Sequence, residues 1–172
     1  MNKYFNFNIK APSESAFVQQ RDKLKPEAFE FLFREFTNKI SCPNTFKGYR
    51  LLACDGSSIR MALNSSDVAT YKQQTDESGY NELHLNALYD VLNNVYVDID
   101  VQGEAHYNEH KAFIKMIDRG SFNSQTIVTC DRGYESYNNF THVIQKGCYF
   151  LIRIRECVAS SMVSDTTISD NE

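Results

Sequence analysis

Apolar positions change their spacing once along this chain, near residue 48. Between residues 26 and 40 they fall at helical intervals, with Phe29, Leu32, Phe33, Phe36 and Ile40 on one stripe. From Tyr49 onward they gather into short runs separated by polar turns. The first pattern predicts helices and the second predicts strands interleaved with helices. Upstream, Pro12-Ser13-Glu14-Ser15 supplies the cap of a short helix through Phe17, Val18 and Leu24. Pro26 stands at the next helix start, where its missing N–H costs nothing. The phenylalanine stripe reads as core. Pro43 and Gly48 end the helical part.

The second part opens with Leu51-Leu52-Ala53-Cys54 running into Asp55-Gly56, which predicts a buried strand over 50–55. Residues 56–79 are polar with weak periodicity and predict no element. A hairpin follows, with arms near 84–91 and 95–101. Its turn falls at Asn93-Asn94, because Asn tolerates the positive φ that tight hairpin turns need. Asn108 caps a helix carrying Ala112, Phe113, Met116 and Ile117 on one face, and Gly120 stops it at C′. A strand over 126–131, a helix over 136–146 closed by Gly147 and a strand over 149–154 complete the pattern. The order is strand, hairpin, helix, strand, helix, strand after a helical N-terminal segment. This predicts the α/β class, with a mixed five-stranded sheet and helices. The arrangement resembles the ribonuclease H-like fold. The domains expected are a helical lead-in over 1–45, the α/β core over 46–156 and a disordered, Ser/Thr/Asp-rich tail over 157–172.

Composition adds limits. The chain has 172 residues, 42% hydrophobic and 13% aromatic, enough for one globular core. No apolar run reaches membrane-span length, and Met1-Asn2-Lys3-Tyr4-Phe5 lacks a signal-peptide core. Cys42, Cys54, Cys130, Cys148 and Cys157 are odd in number and lack zinc-site spacing, so they read as reduced thiols of a cytoplasmic protein. The net charge of −4 argues against a free-standing nucleic-acid binder. That argument weakens where acidic charge surrounds bound metal ions.

The chemistry rests on two aspartates. Ile127-Val128-Thr129-Cys130 runs into Asp131-Arg132-Gly133 as the first strand runs into Asp55-Gly56. Each apolar run puts a carboxylate at a strand tip, where open α/β sheets collect ligands. Two such carboxylates on neighbouring strands are the minimum protein contribution to a magnesium site acting on phosphates. Asp before Gly is also a common turn pair. Arg132, Arg153 and Arg155 are candidate phosphate contacts or part of a solvated sheet face, with Arg153 and Arg155 on one strand face and Ile152 and Ile154 on the other. Tyr134 reads as packing under its loop. His84, His106, His110 and His142 lack ligand spacing and read as structural or surface residues.

These blocks resemble the catalytic core of bacterial insertion-sequence transposases of the Asp-Asp-Glu type, in the insertion-sequence-four family. Ser15-Ala16-Phe17-Val18-Gln19-Gln20-Arg21-Asp22-Lys23-Leu24 resembles the lead-in helix. Gly48-Tyr49-Arg50-Leu51-Leu52-Ala53-Cys54-Asp55-Gly56-Ser57 and Asp131-Arg132-Gly133-Tyr134-Glu135-Ser136-Tyr137 resemble the blocks holding the first and second catalytic Asp. Gly147-Cys148-Tyr149-Phe150-Leu151-Ile152-Arg153-Ile154-Arg155 is similar to the strand that follows. The resemblance implies magnesium or manganese as cofactor, with Asp55 bridging two ions about 3.5–4 Å apart and Asp131 holding one. It implies transposon-end and target DNA as partners, with a homodimer or a full-length transposase as a further partner and no membrane.

The family's third carboxylate, a Glu within a Tyr-Arg-Glu-Lys signature on a later helix, has no counterpart here. Glu109, Glu135 and Glu156 do not match it and read as helix-start or surface charges. The chain is therefore expected to be a fragment with an incomplete core and a reduced N-terminal DNA-binding region. Two functions follow. The first is a transposase core for metal-dependent phosphodiester hydrolysis and strand transfer in DNA transposition. The alternative is a truncated, non-catalytic chain that binds DNA or a full-length partner and regulates transposition. A phosphatase with an aspartyl nucleophile would need a second Asp two residues after Asp55, and Ser57 stands there.

Overall fold

The computed structural model describes residues 13–74 and 79–153. The chain divides into two compact units, Met1–Ile40 and Ser41–Glu172. The predicted tail, with Ile154, Arg155, Glu156 and Cys157, lies outside the described residues.

The first unit holds α1 (Glu14–Gln20), a 3-10 turn (Arg21–Lys23) and α2 (Pro26–Lys39). Ser13 caps α1 by accepting the Ala16 N–H at 3.2 Å, and Pro26 opens α2. Glu30–Arg34 and Glu35–Lys39 pair one turn apart along α2. The phenylalanine stripe is not core: neither helix has a buried residue, and Phe29, Leu32 and Phe36 are at least 60% exposed. Two short helices offer too little surface to enclose a stripe of that width.

The second unit is mixed α/β. Its elements are β1 (Arg50–Met61), β2 (Tyr71–Lys72), β3 (Tyr80–Asp90), β4 (Val95–Gly103), α3 (Glu109–Arg119), β5 (Thr126–Cys130), α4 (Tyr137–Gln145) and β6 (Tyr149–Ile152). The main sheet runs β4-β3-β1-β5-β6, and β2 pairs the start of β3. The β4-β3-β1 half is antiparallel and the β1-β5-β6 half is parallel. Short β2 makes six strands where five were expected.

Three local readings change. β1 does not stop at Asp55 but continues to Met61, paired with β3 from Gly56↔Asn86 to Met61↔Asn81. That extension carries Ser57, Ser58 and Arg60, so it lacks the apolar run that marks a buried strand. The hairpin turn spans residues 91–94, with Asn94 at φ 55° and the Asp90 carboxylate accepting the Asn93 N–H at 3.1 Å. Gly120 caps α3 in an extended conformation, φ −71°, whereas Gly147 takes the left-handed conformation at φ 72° after α4.

Helices α3 and α4 pack on one face of the sheet. Ala112, Phe113, Met116 and Ile117 are the buried residues of α3, as their spacing predicts. They meet Leu52, Leu88, Val128 and Val143 in the core. Strand alternation turns Leu51, Ala53, Asp55, Leu85, Ala87, Ile127 and Leu151 to the opposite face. No helix of the described residues crosses a membrane-length span.

The hairpin reverses the usual polarity, since its helix-facing positions include buried Asp98 and Asp100. Arg119 of α3 answers them, with Nε 2.5 Å and Nη2 2.8 Å from the Asp98 carboxylate, while Lys115 pairs with Asp100. Removing one member of such a pair strands a buried charge. Arg119→Ala is expected to lower stability by about 3 kcal/mol, read as a lower midpoint in urea unfolding.

Candidate active site

Asp55 and Asp131 follow directly on the last registered pair of two adjacent parallel strands, Cys54↔Cys130. Neighbouring strands stand about 4.8 Å apart. Alternation puts Cys54 and Cys130 toward the helices and both aspartates on the opposite face. Both carboxylates are exposed. Asp55 lies within β1, not at its tip, opposite Ala87 of β3. Asp131 follows the last residue of β5, Cys130, and caps the 3-10 turn Arg132–Tyr134.

Each carboxylate is oriented by backbone. Asp55 Oδ1 accepts the Gly56 N–H at 2.8 Å, and Asp131 Oδ1 accepts the Gly133 N–H at 2.7 Å. Asp131 thus does make the turn contact of an Asp before Gly, and it retains a second oxygen for a ligand. Among the described residues neither carboxylate forms an ion pair.

Arg153 extends this row. Ile152 of β6 pairs with Cys130, so Arg153 lies one residue on, level with Asp131 and on the aspartate face. It is exposed, as is Arg132 at the start of the turn. Arg155 lies outside the described residues. An open groove of about 450 Å³ runs from Asp55 toward the Tyr89–Tyr96 pair, whose rings are 5.0 Å apart.

The three glutamates differ in place. Glu109 opens α3 on the helix-covered face, its Oε1 3.0 Å from His84 Nε2. It therefore stands across the sheet from Asp55. Glu135 ends the 3-10 turn, and Glu156 is outside the described residues. No group of three His, Cys, Asp or Glu gathers to hold a metal ion among the described residues.

Beneath the aspartates the sheet is tightly built. Tyr134 is 2% exposed, packs on Phe113 and directs its hydroxyl to Asn86 Oδ1 at 3.5 Å, which is the packing role expected of it. Burial pushes its hydroxyl pKa far above the ordinary value. The neighbouring Cys54 thiol, through a side-chain hydrogen bond, and then burial push Cys130 far up as well. Cys54, Cys130 and Cys148 are free thiols. His142 pairs with Asp118, and His110 contacts Asn139. The His84–Glu109 contact escaped sequence reasoning, because two residues on separate elements carry no shared local pattern.

These shifts set a direction with pH. Above the ordinary tyrosine pKa of about 10, the unfolded chain releases a proton that folded Tyr134 keeps. Stability is therefore full below that pH and falls above it, by up to about 1.4 kcal/mol per pH unit for one group. Cys130 acts with the same sign from about pH 8.5. Urea unfolding at pH 9 and pH 11 is expected to show the loss, and Tyr134→Phe is expected to reduce it.

The sequence profile of the family described as transposase DDE domain matches residues 46–163. No curated protein matches the chain. The profile spans most of the chain and takes in β1 through β6 with both aspartates. On that match, the chain belongs to the transposase DDE domain family.

Proposed function

We propose that Asp55 and Asp131 are catalytic, metal-holding carboxylates of a transposase core on a ribonuclease H-like sheet, close to the insertion-sequence-four family. The reaction is phosphodiester cleavage and strand transfer in DNA transposition. One observation carries this reading: both aspartates follow directly on the last registered pair of adjacent parallel strands, Cys54↔Cys130.

The donor set fits a hard divalent cation. It is made of carboxylate oxygen alone, which suits magnesium or manganese over softer ions. Asp55 and Asp131 would hold the metal through the oxygens left over from their backbone hydrogen bonds. When bound, the metal supplies Lewis-acid stabilisation of charge at the scissile phosphate. The chain's own residues hold and orient. β1 and β5 fix the spacing of the carboxylates, and the Gly56 and Gly133 amides fix their rotation. Arg153 and Arg132 offer cationic contacts to DNA phosphates on the same side, and Arg155 follows in sequence. DNA is the partner by family, from transposon ends or target, and a second copy or a full-length transposase is a further partner.

A second reading has support of its own. No third carboxylate joins the pair among the described residues. Two carboxylates leave an octahedral ion mostly water-bound and loosely placed. Misplacement near 1 Å costs on the order of a hundredfold in rate. The chain by itself then binds DNA or a full-length relative without turnover.

Isothermal calorimetry with manganese is expected to show weak binding that Asp55→Ala abolishes. Equal heats from the two proteins would remove Asp55 from the site. Incubation of the chain with supercoiled DNA and manganese is expected to nick no faster than the Asp131→Ala control. Nicking that the control loses would show a complete catalytic set in this chain and would discard the second reading.

A further inference from the structure

His84 of β3 is 7% exposed and lies on the helix-covered face, directly across from Ser58 of β1. Its Nδ1 is 3.4 Å from Ser58 Oγ, and its ring rests on Tyr107 with centroids 4.5 Å apart. Its Nε2 lies 3.0 Å from Glu109 Oε1, out of line for a hydrogen bond and with no other partner. A buried ring nitrogen without an aligned partner is costly, so something else must hold the pair together.

Gly56 is the third party. A Cβ there would stand 2.8 Å from both Glu109 Oε1 and His84 Nε2. The two polar tips thus meet directly over the α-carbon of residue 56, in space that any other residue would fill. Gly56 in turn gives its N–H to Asp55 Oδ1. The start of α3, capped by Asn108, is in this way pressed onto β1 at the residue that orients Asp55.

We propose that His84 and Glu109 are positioning residues for Asp55, acting through Gly56 from the other side of the sheet. The inference rests on the reading of Asp55 as a metal-holding carboxylate. The pair sets how β1 lies at residue 56, and so where the Asp55 carboxylate points. Groups hydrogen-bonded to metal ligands commonly change affinity by about 10–100-fold when altered, and this pair acts one residue further out, which sets the low end of that range.

The test compares Glu109→Gln, His84→Gln and the double variant with Ile117→Val, a core truncation about two turns further along the same helix. Manganese affinity by calorimetry is expected to fall about tenfold in each single variant, with little further loss in the double. Ile117→Val is expected to bind as the unaltered chain does. Unaltered affinity in Glu109→Gln and His84→Gln would overturn the proposal, as would an equal loss in Ile117→Val. Amide hydrogen exchange at Gly56 gives a readout that needs no metal. It is expected to quicken in Glu109→Gln and not in Ile117→Val. If the unaltered chain and Asp55→Ala give equal manganese heats, the metal reading fails, and exchange alone then decides the positioning role. Unchanged exchange at Gly56 overturns that role.

Discussion

Residues Arg50 to Cys54 of β1 run in parallel register with Thr126 to Cys130 of β5, and this pairing joins the two halves of the sheet. On one side of it lies the antiparallel hairpin, and on the other the parallel strand β6. Parallel strands cannot be joined by a tight turn and need a crossover connection. Here the hairpin and α3 fill the space between β1 and β5. The crossover brings Asp55 and Asp131 to the same level, although they are far apart in sequence. Burial of Leu52 and Val128 under α3 and α4 locks the register. A slip of one residue in either strand would turn that strand's carboxylate toward the core.

The two faces of the sheet obey different rules. The helix-covered face is apolar at β1, β5 and β6 but polar along the hairpin, where His84, Asn86, Asp90, Asp98 and Asp100 are buried. Each carboxylate of that group is answered by a cation: Asp90 by Arg50, Asp98 by Arg119 and Asp100 by Lys115. Such pairs are costly to break and give little net stability, so they fix where α3 sits more than how tightly it binds. The opposite face carries apolar side chains with Leu151 and Tyr149 more than half exposed. Parallel sheets usually bury both faces, whereas antiparallel ones can leave one face to solvent. The aspartate row lies on that exposed side.

Family and geometry answer different questions. The profile match assigns the chain to the transposase DDE domain family. The register explains why two aspartates far apart in sequence follow neighbouring strands at one level, and why Arg153 comes next after the strand beside them. It also separates Glu109 from that row. Glu109 is close to Asp55 along the sheet, yet the strand backbone stands between them, and its partner is His84.

Much of the second unit was legible in the order of residues. The buried face of α3, the strand runs before Asp55 and Asp131 and the stop at Gly147 all follow from local periodicity and local backbone preference. These signals are carried by residues a few positions apart, and side-chain burial imprints them on each element. The extension of β1 to Met61 left no such trace, because its side chains are polar or exposed and only backbone pairing with β3 makes it a strand. The phenylalanine stripe of α2 shows the reverse case: helical spacing made the helix predictable, while burial required a partner surface that the described residues of its unit do not supply. The contact of His84 and Glu109 over Gly56 belongs wholly to tertiary structure. Three elements must already be packed before a glycine becomes the one residue that fits between two side chains, and no local pattern in the chain encodes that meeting.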